Sequence, residues 1–163
     1  MATGASLFVD VCARIGAMGI AEADWPTFTH SITLGSNNTF TDWHMLPVER
    51  PHIAPPEPKL ITVSVPGSDF VLDYTDSFDG KVHYNNRTGS WEFIVVPDGV
   101  NMMTRKRRVL AAIQGKWVTI VLGDDTEHTY KGRVWLSEWR SGNNYSTCTF
   151  EYSIQPLTTS SQF

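Results

Sequence analysis

The densest run of charge in the 163-residue chain is Arg105-Lys106-Arg107-Arg108. Four adjacent cations in the first turns of a predicted helix sit at the positive end of its dipole, so helix stability does not account for them and a partner must compensate. Two partners are open. One is an ion network, either with the aspartates of residues 69–79 or across a subunit boundary; the other is weak, salt-sensitive contact with passing DNA. The remaining reactive residues do not converge. His30, His44, His52, His83 and His128 stand singly, and no His-x-x-x-His or Cys-x-x-Cys spacing offers a zinc site. Asp69, Asp73, Asp76 and Asp79 lie close together, but Phe70 and Phe78 interrupt them and no glutamate closes a calcium loop. A turn-rich loop is expected there, with carboxylates accepting local backbone N–H groups. Glu92, Glu127, Glu138 and Glu151 could be proposed as a paired carboxylate site, but on antiparallel strands such pairs arise by accident. No serine occupies a glycine elbow, and neither Gly67-Ser68-Asp69 nor Gly115-Lys116 has the order of a phosphate loop. No catalytic residue, metal or cofactor is expected.

A second feature is the six tryptophans. Residues 117–122 and 129–136 read as the two strands of a hairpin that turns at Gly123-Asp124-Asp125-Thr126. Alternation puts Val118, Ile120, Leu122, Tyr130, Val134 and Leu136 on a core face. It leaves Trp117, Val121 and Trp135 opposite, beside Thr119, Lys131 and Arg133. Trp117, Trp135 and Trp139 exceed what that core needs, so they mark a subunit interface or a second core beneath another sheet.

The helix before this hairpin carries Met102, the stem of Lys106, Val109, Leu110 and Ile113 near the helical period, and Gly115 ends it. Earlier in the chain, residues 28–34 alternate as a strand. Five prolines between 47 and 58, among them Pro55 and Pro56, predict an extended arm or connector. Residues 60–65 read as a strand. Residues 81–84 and 90–96 read as a hairpin around the turn at 85–89, and 145–154 as the last strand, entered from a turn at 141–144. The balance of about seven strands to one firm helix predicts a mainly β fold, an antiparallel β-sandwich with one flanking α-helix.

A chain of this length buries roughly 70% of its extended surface without metals or disulfides. Seventeen acidic against 13 basic residues give a net charge of −4, a poor balance for a dedicated nucleic-acid binder. Cys12 and Cys148 are read as reduced thiols, and the sequons at Asn37, Asn86 and Asn144 as chance matches. The semi-apolar stretch 7–20 is interrupted by Asp10 and Arg14 and is too short to span a bilayer, so no membrane anchor is expected. It forms a short docking helix or a mobile extension. The expected organisation is an extension at 1–27, a β domain at 28–157 and a tail at 158–163.

The order of several short pieces resembles the N-terminal domain of the distal tail proteins of long-tailed bacteriophages. These are the stretch from Leu60 to Asp69 (LITVSVPGSD), Leu72-Asp73, Tyr84 with Arg87, Glu92-Phe93, the helix end Leu110-Ala111-Ala112-Ile113-Gln114-Gly115-Lys116, and Gly132-Arg133-Val134. An aspartate-tryptophan turn in Phe40-Thr41-Asp42-Trp43-His44-Met45 adds to the likeness, which covers residues 28–157. The resemblance implies a β-sandwich close to that of tail-tube proteins, assembled as a hexameric ring at the end of a virion's tail. It implies as partners the tail tube protein, the baseplate hub or tip protein and the tape measure protein, with a channel for DNA. Trp117, Trp135, Trp139, Pro55 and Pro56 then serve the subunit interface, and Arg105, Lys106, Arg107 and Arg108 face the lumen or the joint between rings. The chain departs from the pattern in having Phe70 where relatives often have glycine, a longer leader, and no added carbohydrate-binding domain after the last strand. A tail tube subunit is the nearest alternative. A carbohydrate-binding module stacking sugars on Trp25, Trp43 or Trp91 is a third reading, and an enzyme of the β-sandwich kind a fourth.

Overall fold

The computed structural model describes residues 6–156; the expected tail at 158–163, and Leu157 before it, lie outside the described residues. The elements run α1 (Leu7–Ala17), α2 (Trp25–Phe28), β1 (Ile32–Leu34), β2 (Asn37–Asn38), β3 (Met45–Pro47), β4 (Thr62–Ser64) and β5 (Val71–Asp73). They continue with β6 (Arg87–Val95), α3 (Met102–Ile113), β7 (Trp117–Leu122), β8 (Asp125–Ser141) and β9 (Ser146–Ile154). Among the described residues seven strands form one antiparallel sheet in the order β2-β1-β7-β8-β9-β6-β3, while β4 and β5 pair only with each other. The mainly β, antiparallel expectation holds.

Strict alternation builds the core. Val118, Ile120 and Leu122 of β7, Val134 of β8, Phe150, Tyr152 and Ile154 of β9, and Phe93 and Val95 of β6 all turn to one face. They join Ile32, Leu34 and Met45 in one cluster, so the sheet curls around a single core. α3 closes that core with Val109 and Ile113, four residues apart on one helical stripe, and Gly115 at φ 73° supplies the left-handed residue that lets the chain leave it. Phe150 sits beneath Trp43, with ring centres 6.2 Å apart, and meets Phe93 edge-on at 5.5 Å.

Three expectations are corrected. The strand at 28–34 shortens to Ile32–Leu34, because Pro26 opens the short helix α2 and His30 takes a left-handed φ of 50°. The hairpin turn at 85–89 is absent: β6 runs straight through Gly89 and pairs with β9, and Tyr84 forms an isolated bridge to Pro58. Gly89 serves a close approach, since the ring of Tyr152 fills the place where a Cβ would stand. That ring is held by Trp91, stacked 4.5 Å away, and by the Ala54 N–H, which donates to its hydroxyl at 3.0 Å. Gly89→Ala is therefore expected to cost about 1–3 kcal/mol in urea unfolding, the range of an overpacked site. The loop of residues 68–80 contains β5, although Asp73 and Asp79 do accept the Thr75 and Lys81 N–H groups as expected of turn aspartates. Of the two readings of residues 7–20, the structure shows the helix: α1 is a second multi-turn helix beside α3. Ser6 caps it by accepting the Val9 N–H, and it docks through Ile15 and Phe8.

Candidate assembly surfaces

The basic run divides on α3. Arg105 lies on the stripe of Val109 and Ile113 and is only 3% exposed, whereas Lys106 is half-buried and Arg107 and Arg108 are exposed. The Arg105 guanidinium donates to the Asp42 carbonyl at 3.0 Å through Nη1 and to the Asp98 carboxylate through Nη2. Its compensating acid is thus Asp98, seven residues upstream, and not an aspartate of residues 69–79. His44 completes the cluster: its Nδ1 is 2.7 Å from Asp98 Oδ2, and its ring stacks on Phe8 of α1 at 3.6 Å. A body loop, α3 and α1 therefore meet at one buried group of charges.

Burial and the neighbouring Arg105 push the His44 imidazole below its ordinary value, against the opposing pull of Asp98 and Asp42. Burial draws the Asp98 carboxyl up, but Arg105, the Val100 N–H and His44 outweigh it and hold the group below the usual carboxylate range. For His44 the unfolded chain takes up its proton first. Stability is full above about pH 6.5 and falls as the pH drops from there to the lower folded value. Loss from Asp98 enters only below about pH 4. Urea midpoints from pH 7.5 to 5 are expected to decline, and His44→Gln to flatten the decline.

The outer face of the sheet carries Trp117 and Trp135. Trp117 is 51% exposed, with the Arg133 guanidinium over its ring at 5.8 Å. Arg133 is steadied by donating to the Gly115 carbonyl at 2.7 Å, and the Trp135 N–H donates to Glu151 at 2.9 Å. Trp117 pairs across with Arg133, and Thr119 with Lys131. Trp139 is separated from this pair by a bulge: Leu136 pairs with Phe150 and Glu138 with Thr149, leaving Ser137 as an extra residue. The shift turns Trp139 inward, opposite Cys148, where it packs on the core. Further along, Glu92, Glu138 and Arg140 line a polar depression with Thr147 and Thr149, and Arg140 is already committed to Glu138 at 2.6 Å. Among the described residues no three histidine, cysteine or acidic side chains gather as metal ligands, and no helix is long and apolar enough to cross a membrane.

A third surface gave no distinct signal in the sequence. The segment after β3 is pinned to the body where the Trp91 N–H donates to the His52 carbonyl at 2.9 Å and Ile53 packs on the core. It then leaves through exposed Pro55 and half-buried Pro56. A neck follows, made by Lys59 N–H to His83 O and Asn85 N–H to Glu57 O, and beyond it β4 and β5 form an arm. The register Val63↔Leu72 and the bond from Tyr74 N–H to Ile61 O put Ile61, Val63, Leu72 and Tyr74 on one side. Thr62, Ser64 and Asp73 take the other. The apolar side is bare, as are Leu60 at 65%, Phe70 at 79% and Phe78 at 94% exposure.

The tryptophans expected of a sugar platform are not available for one. Trp43 and Trp91 are buried, and Trp25 is half-buried edge-on to Phe40 at 6.0 Å. No family model matches the chain, and no curated protein sequence does. Among solved structures, the Dit protein (gp 19.1) of SPP1, described as a paradigm of the hub adsorption apparatus in phages infecting Gram-positive bacteria, superposes with a TM-score of 0.59. The fold is Dit-like. The likeness covers 78% of this chain at 16% identity and 51% of the Dit chain, so this chain spans about half the length of that protein. A Dit-like fold accounts for the curled antiparallel sheet with few helices described above.

Proposed function

We propose that the chain is a structural subunit of a phage tail, forming a hexameric ring at its distal end that joins the tail tube to the baseplate or tip. The ring leaves a channel for the tape measure protein and then for DNA. The observation that carries this reading is the arm. An isolated two-stranded hairpin is marginal in water, and one with a bare apolar face needs a covering surface. Neighbouring copies supply that surface, and six identical copies closing about an axis leave no arm unpartnered. Arg107 and Arg108, repeated around the ring, act on the lumen or on the joint to the next ring.

Light scattering after gel filtration, with negatively stained images of the same peak, tests the reading. Closed six-fold rings, with six times the 18.3 kDa of the chain, are expected. A monomer at every concentration would overturn the proposal. Rings that stack into long tubes would replace it with a tube subunit.

A further inference from the structure

The arm displays an apolar face flanked by carboxylates, and the body displays an aromatic face flanked by cations. On the arm, Ile61, Val63, Leu72 and Tyr74 form an apolar strip; Asp69, Asp76 and Asp79 are exposed in the adjoining turns, and Asp73 is exposed on the opposite side. Asp73 and Asp79 are held below the usual carboxylate range by Thr75 and by His83 with the Lys81 N–H, respectively. These carboxylates are anionic at neutral pH. On the body, β7 and β8 present Trp117, Thr119 and Val121 beside Lys131, Arg133 and Trp135, with Lys116 at the near end. Each surface is the exposed face of an antiparallel strand pair, and such faces can stack on one another.

We infer that the arm of one copy lies across the β7–β8 outer face of the next, its apolar strip over Trp117 and its carboxylates toward Lys131 and Arg133. This rests on the assembly reading and names the two surfaces that meet. The stack removes the bare strip from water and covers the most exposed outer tryptophan. It also sets acid against base in a chain whose overall charge of −4 would otherwise make identical copies repel. The contact is heterologous, arm to face, so each copy gives one and receives one, as ring closure requires.

Charge reversal tests it. In the wild type, oligomer is expected. Lys131→Glu with Arg133→Glu is expected to weaken association roughly a hundredfold by light scattering, since like charges then face each other. Asp69→Lys with Asp76→Lys is expected to do the same, and the chain carrying all four changes to recover. All four reversed positions are solvent-facing, so circular dichroism should be unchanged. A second measurement is independent of charge: Leu72→Cys with Thr119→Cys, in a Cys12→Ser background, is expected to give disulfide-linked multimers that neither single cysteine gives. Oligomers that persist through both reversals without the cross-link overturn the arm-to-face contact and leave the assembly reading standing. A wild type that stays monomeric overturns both.

Discussion

Replacing residues 60–82 with a Gly-Ser-Gly turn is expected to leave a folded chain that no longer associates. The neck at Glu57–Lys59 and His83–Asn85 already brings the two ends together, so the shortened loop closes without strain on the body. The arm contributes nothing to the central cluster, and the urea midpoint should move by less than about 1 kcal/mol. Association should suffer far more. Ile61, Val63, Phe70, Leu72, Tyr74 and Phe78 form a large apolar group left bare among the described residues. Losing an aromatic cluster of that kind from an interface costs about 4 kcal/mol, or about a thousandfold in affinity. Sedimentation of the deletion beside the wild type reads both effects, and an oligomer that survives the deletion would assign assembly to another surface.

Arg105→Ala is expected to be the most destabilising single change outside the aromatic core, at about 3–5 kcal/mol. The alanine leaves Asp98 without the guanidinium that offsets its burial, and the Asp42 carbonyl without the N–H that Nη1 supplied. Asp98→Ala leaves the converse charge, a buried guanidinium, and should cost a similar amount. Arg105→Lys should recover little, because a single ammonium cannot reach both acceptors with the fork that Nη1 and Nη2 provide. Against a total stability of about 5–15 kcal/mol this is a large fraction, and the urea midpoint should fall visibly. The same variant removes one of the pressures on His44, so its decline in stability below about pH 6.5 should become shallower than in the wild type. Arg107→Ala and Arg108→Ala, on the exposed side of α3, should change stability by no more than about 0.5 kcal/mol.

The contrast between Arg105 and its neighbours shows where sequence reasoning reaches and where it stops. Within the run Arg105-Lys106-Arg107-Arg108 the sequence reading puts the stem of Lys106 on the stripe of Val109 and Ile113, three and seven residues away. Lys106 is half-buried, whereas Arg105, at four and eight, is the residue that is buried. That phase was the available sign that it turns inward. The β7–β8–β9 meander was legible because Val118, Ile120, Leu122, Val134, Phe150 and Tyr152 keep a strict period of two. Trp139 was not, because the bulge at Ser137 shifts the period by one residue and nothing in the local composition marks it. Asn85-Asn86-Arg87-Thr88-Gly89 has the composition of a turn, yet Gly89 answers to the distant Tyr152 ring. Residues 60–65 have the composition of a buried strand; only the pairing of β4 with β5 alone shows that they project from the body. Local pattern found the elements whose partners are adjacent in sequence, and missed those decided by contacts made across the fold.

The neck below the arm has a further consequence for how the protein can be followed over time. Two backbone bonds separate a bare hairpin from a closed body, so a protease can nick residues 66–80 without first unfolding anything else. On the assembly reading, a newly made chain is cleavable at that tip and a chain seated in a ring is protected. Brief digestion would then yield two fragments from unassembled chains and one intact band from assembled ones. The arm thus acts as a clock, recording how long each copy waits before it finds its neighbour.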